Sequence, residues 1–227
     1  MKTQTRSWII PACFFLVAAA ANLIARATGN APVAAMVKPA LLPLIALTSV
    51  VAAGGMQSRT LRLLVIAQLL GCAGDILLIP SGMIPFATGL VCFLVGHIFY
   101  VSIFGKLSWK GLKAKHWILI LAVMALAVAG LLIGIGVKGV FLVPFAIYGL
   151  MLMFLIFSGL AGVIRKCANP ATWWIITVGA VLFAFSDSLI AVQTFNSASV
   201  FLEFLVMLTY LAAQCLLAWG ALRLNKA

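Results

Sequence analysis

The sequence predicts an all-α, polytopic membrane protein with about eight transmembrane helices, forming one transmembrane domain over residues 1–227. Composition is the first of three observations behind this. The chain is 66% hydrophobic and 8% charged, with a mean hydropathy of +1.27, far outside the range of water-soluble domains. The second is that its apolar runs are hydrophobic all round rather than alternating at period two, as barrel strands would be. The third is spacing: charged and Pro/Gly-rich breaks recur so as to leave about 20 residues between them, the length a helix needs to cross the hydrocarbon core.

In order, the spans are expected near residues 7–27, 32–53, 61–80, 84–105, 116–137, 139–162, 171–194 and 198–222. The first follows Lys2 and Arg6 and contains Ala18, Ala19, Ala20 and Ala21, a pattern shared with signal peptides. Its apolar run is long for such a segment, and its removal would leave an odd number of spans, so it is read as retained. The second span carries Lys38 before Pro39, and Arg59 and Arg62 separate it from the third. The fourth ends at the longest polar connection, roughly 105–116, with Lys106, Lys110, Lys113, Lys115 and His116. Lys138 marks the break between the fifth and sixth, Arg165 and Lys166 that between the sixth and seventh, and Arg223 and Lys226 follow the eighth.

Counted loop by loop, twelve of the fifteen Lys and Arg residues fall on one side, while the opposite loops hold only Arg26 and Lys138. By the positive-inside rule both termini are expected in the cytoplasm. The formal net charge of +12 is therefore a topology signal. No segment is polar enough to form a basic, water-exposed domain, so nucleic acid is not an expected partner; the lipid bilayer is, with anionic headgroups attracted to the cytoplasmic face. The oligomeric state is not readable. Cys13, Cys72, Cys92, Cys167 and Cys215 are scattered singly and read as small apolar packing residues. Gly74-Asp75 and Ser186-Asp187 lie 111 to 112 residues apart, and Val91–Val95 resembles Leu202–Val206. That offset raises the possibility of two four-helix halves in parallel topology.

Only three acidic residues occur, and Asp75 and Asp187 sit inside long apolar runs. A carboxyl in hydrocarbon costs several kcal/mol unless protonated, paired or facing water, which makes a functional site the default reading. At 1.5 Å per residue both lie about 20–24 Å along outward-running spans, in the outer half of the membrane. Lys38 on the inward-running second span and Glu203 near the start of the eighth belong to the same half. His97 lies deeper, with Tyr100 at i+3 on the same face. Tyr148, Tyr210 and Gln214 complete the polar inventory within the membrane.

A metal hydrolase usually needs three or more ligands, and His97 is the one imidazole within a span, so no metal or cofactor is expected. Serine-nucleophile chemistry would want Ser186 beside a base, but no Gly-x-Ser-x-Gly turn is present. Two carboxyls in different environments instead suit acid-catalysed cleavage through an oxocarbenium-like transition state. A proton-coupled carrier using the same pair is the competing class, and a non-catalytic lipid-binding protein a third. Against a carrier, Pro39, Pro43 and Pro144 have no counterparts at the repeat offset.

Lys38-Pro39, Gly74-Asp75-x-Leu-Leu, Gly89-x3-Phe93-x3-His97-x2-Tyr100, Tyr148, Gly179-Ala180-x-Leu182-Phe183-x2-Ser186-Asp187-x-Leu189-x-Ala191 and Tyr210-x2-Ala213-Gln214 occur in this order across six spans. The ordered set resembles the YhhN-like lysoplasmalogenase family. The resemblance implies an eight-helix membrane hydrolase that cleaves the vinyl ether bond of lysoplasmalogens to a fatty aldehyde and a glycerophospho-alcohol. It also implies Asp75 and Asp187 as catalytic carboxyls, with Lys38, His97, Tyr100, Ser186, Tyr210 and Gln214 around them. Tyr148 and Glu203 join the expected substrate-binding set, Lys38 facing the phosphate and Glu203 an ethanolamine or choline cation. Ser186 is expected to hydrogen-bond Asp187 and so to favour it as the base. A bacterial inner membrane suits the short loops and the likeness.

Overall fold

Each apolar run forms one helix: α1 (Ile9–Ala27), α2 (Ala31–Ala53), α3 (Arg59–Leu77), α4 (Met83–Ser108), α5 (Ala114–Ile135), α6 (Leu142–Ile164), α7 (Pro170–Phe195) and α8 (Val200–Asn225). A single 3-10 turn, Gly139–Phe141, leads into α6. The computed structural model describes residues 7–167 and 169–225; Lys2, Arg6 and Lys226 lie outside them. Among the described residues there is no strand, and eight helices are long and apolar enough to cross a membrane. The boundaries follow local chemistry. Asn30, Ser58 and Asn169 accept hydrogen bonds from Val33, Leu61 and Ala171 N–H groups at the starts of α2, α3 and α7. Pro170 occupies the first position of α7, where the missing N–H costs nothing.

The helices close a ring in the order α1, α2, α3, α4, α6, α7, α8 and back to α1, with α8 also reaching α2 and α3. Outside it, α5 lies against α6 and α7. Its position shows in its sequence pattern: Met124, Val128 and Leu132, four apart, are buried, while Ile118, Leu119, Leu126 and Ile133 are exposed. An apolar exposed face is what a lipid-contacting helix presents, so burial rather than polarity distinguishes its two sides.

Two prolines shape α2 where it meets α3. Pro43 has no N–H to donate to the Pro39 carbonyl, leaving that acceptor without its usual helical partner. The Cys72 thiol of α3 donates to it at 3.3 Å. Nearby, the Asn22 amide of α1 donates to the Ala34 carbonyl at 2.8 Å. The loosened backbone is thus held from both flanks, and Lys38 lies on the segment so fixed. All five cysteines are free thiols, of which Cys72 is buried and Cys13 and Cys167 are exposed.

Small residues set the closest approaches. A Cβ on Gly162 of α6 would lie 2.0 Å from the Trp173 ring of α7, which is itself wholly buried and has nowhere to move. Gly162→Ala is therefore expected to destabilise the fold by about 1–3 kcal/mol. Gly130→Ala, where a Cβ meets nothing within 4 Å, should be neutral or stabilising. Thermal unfolding in detergent distinguishes them, and an unchanged midpoint for Gly162→Ala would contradict the packing.

Candidate active site

Asp75 is almost fully buried on α3. An isolated charge there would be prohibitive, and its two oxygens are accordingly engaged. Lys38 Nζ lies 3.0 Å from Oδ1, and the Tyr210 hydroxyl of α8 donates to Oδ2 at 2.8 Å. Three helices thus converge on one carboxyl. A second polar pair extends the cluster along α8: the Tyr100 hydroxyl donates to Gln214 Oε1 at 2.6 Å. Gly71, one turn before Asp75, makes room for both. A Cβ there would sit 3.5 Å from the Tyr210 oxygen, 3.6 Å from the Gln214 amide nitrogen and 2.7 Å from Leu42.

Asp187 on α7 has a different setting. It is only partly buried, and the Tyr148 hydroxyl of α6 donates to its Oδ2 in a short hydrogen bond. Among the described residues no cation contacts it directly, although Lys38 and Asp75 both lie within electrostatic reach. An aromatic chain joins the two carboxyls' phenol partners. The His97 ring meets Tyr148 edge-on at 5.5 Å and Phe183 at 4.5 Å, and Phe183 meets Tyr210 at 5.4 Å. His97 Nδ1 bonds the Phe93 carbonyl at 2.6 Å, while the buried Nε2 has no partner. His97 therefore packs against Tyr148 directly and reaches Tyr210 through Phe183, and it hydrogen-bonds neither acid.

One expectation needs revision. Ser186 does not bond its neighbour Asp187; being wholly buried on the other side of α7, it donates to the Val206 carbonyl at 3.0 Å. Adjacent helical positions point about 100° apart, so sequence adjacency placed it wrongly. The argument that Ser186 marks Asp187 as the base falls with that contact. Glu203, near the start of α8, is paired with Arg26, whose Nη1 lies 2.7 Å from its Oε2. Arg26 entered the sequence argument only as a loop charge. The available signal was its place among the few basic residues on the sparsely charged side. Phe93 and Phe183, the ring platform beside the tyrosines, carried no polar signal at all.

Two cavities meet at this cluster. An apolar one runs between α4, α5, α6 and α7, lined by Phe86, Leu90, Leu132, Phe145 and Leu152, with Tyr148, Asp187 and Ser188 as its polar members. A polar one of about 280 Å³ is lined by Arg26, Lys38, Gln193, Thr194 and Glu203. Leu78, Phe86 and Ile190 line both. Leu78 and Ile190 follow Asp75 and Asp187 by three residues and so share their helix faces. Asp187 lines the apolar cavity directly, whereas Asp75 lines neither and is linked to the polar one through its partner Lys38. Among the described residues no three His, Cys, Asp or Glu side chains converge as a metal site.

The YhhN family model matches residues 33–221 of the chain. The rat protein named lysoplasmalogenase TMEM86B is 31% identical over 224 residues, covering 97% of this chain and 86% of its own. A Mycobacterium tuberculosis protein named lysoplasmalogenase is 30% identical over 198 residues, covering 85% of this chain and 72% of its own. The match to human lysoplasmalogenase TMEM86B, 31% identical over 158 residues, covers 69% of this chain and 62% of that relative. No solved structure matches the chain.

The geometry makes Lys38 and Asp75 interdependent. Lys38→Met would leave a carboxyl buried beside an apolar chain and should destabilise the fold by about 3–5 kcal/mol. Adding Asp75→Asn in the same chain should recover most of that loss. Unfolding midpoints of the two single variants and the double variant check it; additive losses would mean that the pair is not coupled.

Proposed function

This chain belongs to the YhhN family, and we propose that it is an integral membrane hydrolase of the lysoplasmalogenase type. It cleaves the vinyl ether bond of a lysophospholipid to a fatty aldehyde and a glycerophospho-alcohol. The carrying observation is the order along the site: a polar cavity lined by Arg26, Lys38 and Glu203, then the Lys38–Asp75 pair, then an apolar cavity lined by Tyr148 and Asp187. A single-chain ether lipid has that order of parts, with headgroup and glycerol first, the vinyl ether next and the alkyl chain last. The relatives' names supply the bond that is broken. In a carrier the same carboxyls would line a water-filled relay, whereas here Asp187 borders a channel whose lining is almost entirely apolar. A bacterial inner membrane, with both chain ends cytoplasmic, agrees with the short loops and charge distribution.

The different partners of the two acids assign their roles. Lys38 holds Asp75 as the carboxylate, while Asp187, with a phenol and no cation in contact, carries the proton. Asp187 protonates the β-carbon of the vinyl ether, giving an oxocarbenium ion, and becomes negative. Asp75 takes a proton from water as its oxygen adds to the α-carbon, so that a neutral hemiacetal forms. On collapse, Asp75 returns its proton to the departing glycerol oxygen and Asp187 takes the hemiacetal hydroxyl proton. Both acids end in their starting states, and water, ether, aldehyde and alcohol balance. Tyr148 and Tyr210 stabilise the negative form of their respective partners at each stage.

Purified protein incubated with a lysoplasmalogen is expected to release aldehyde, and Asp75→Asn and Asp187→Asn each to abolish release while remaining monodisperse and folded. Tyr148→Phe and Tyr210→Phe should each slow turnover about tenfold to a hundredfold, the value of one hydrogen bond to a charged group. Normal turnover by either folded Asn variant would remove that carboxyl from the mechanism.

A further inference from the structure

We propose that the Arg26–Glu203 ion pair is a headgroup reader that selects zwitterionic lysophospholipids, Arg26 engaging the phosphate and Glu203 the ammonium group. The inference rests on the hydrolase reading for the identity of the lipid, but its recognition step is independent of turnover. The pair joins the end of α1 to the start of α8, 177 residues apart, and both side chains line the polar cavity. At about 280 Å³ that cavity lies at the lower edge of the ~300–1,000 Å³ range of small-molecule sites, which suits a headgroup rather than a whole lipid.

The charges in it are arranged for a dipole rather than a single ion. Lys38 also lines the cavity, but its ammonium group is engaged with Asp75 at 3.0 Å. Arg26 commits Nη1 to Glu203, and its buried Nε has no partner, so donor capacity remains for an incoming anion. Glu203 is the one acidic residue of the chain besides Asp75 and Asp187. Its side chain is 38% exposed against 19% for Arg26, so the anion stands nearer the opening than the cation. A phosphate-ammonium headgroup laid against this pair, phosphate inward by Arg26 and ammonium outward by Glu203, places four charges in alternation. The protein ion pair need not break for the headgroup to bind. A bare phosphate monoester gains the Arg26 contact but meets Glu203 as a like charge.

The test is equilibrium binding of lysophospholipids with one common acyl chain to the full-length protein in detergent, with turnover measured in parallel on the matching vinyl ethers. Wild type should bind the ethanolamine and choline lipids more tightly than the phosphate monoester. Glu203→Gln should weaken the zwitterionic lipids about tenfold, as expected for one charge-assisted contact, and leave the monoester unchanged or tighter. Arg26→Gln should weaken all phosphate-bearing lipids and spare an alkenyl glycerol. Because losing one partner could loosen the α1–α8 contact, the exchanged variant Arg26→Glu with Glu203→Arg retains an ion pair and should lose the headgroup preference while staying folded. In turnover the effects should fall on KM, not kcat. Equal changes for every headgroup, or an unchanged zwitterion affinity in Glu203→Gln, would overturn the reader. Headgroup-selective binding without aldehyde from any vinyl ether would keep the reader and sink the hydrolase reading.

Discussion

A lysine ammonium and an aspartate carboxylate facing each other inside an apolar bundle constrain everything around them. Each alone would be strongly disfavoured in hydrocarbon, and together they still require the remaining carboxylate lone pairs to be satisfied. Lys38 and Tyr210 meet that requirement for Asp75 from two other helices, so α2, α3 and α8 can pack in only one register. Such a pair contributes less net stability than its short distance suggests. Its larger effect is to specify which helix faces meet, in a bundle where apolar surface alone discriminates poorly among neighbours.

The backbone around the pair is adapted to it. Pro43 frees a carbonyl on α2, and Cys72, three residues before Asp75, donates to it. Gly71 and Gly74 then let neighbours approach α3: a Cβ on Gly74 would lie 2.7 Å from the Phe93 ring, and one on Gly71 the same distance from Leu42. Phe93 lines the apolar cavity and also meets the Tyr210 ring edge-on at 6.2 Å. Packing and polar chemistry are thereby shared by the same residues, and the cavity wall cannot be altered without moving a hydrogen-bond donor to a carboxyl.

The asymmetry between the two acids follows from these surroundings. Asp75 is enclosed and cation-paired, while Asp187 borders an apolar cavity with a phenol as its direct donor. Placing chemically identical side chains in different surroundings is the general way one site supports both acid and base steps. From its outward position α5 contributes Leu131, Leu132 and Ile135 to the wall of the apolar cavity.

Length, apolar periodicity and the scarcity of charge determined the eight spans, because a helix in lipid must satisfy its own backbone over a fixed thickness, whatever it packs against. The same scarcity made Asp75, Asp187 and Lys38 conspicuous, since hydrocarbon penalises each of them individually. Helical rise even placed them at a common depth. What the sequence could not express was azimuth: nearly every face of every helix is apolar, so no hydrophobic stripe tells which side turns inward. Only the tertiary structure therefore decided that Lys38 meets Asp75, that Tyr148 rather than Ser186 serves Asp187, and that Arg26 closes on Glu203 across 177 residues. Those contacts depend on the ring order of the helices, in which α4 bypasses α5 to reach α6, and that order arises from three-dimensional packing and not from any local pattern.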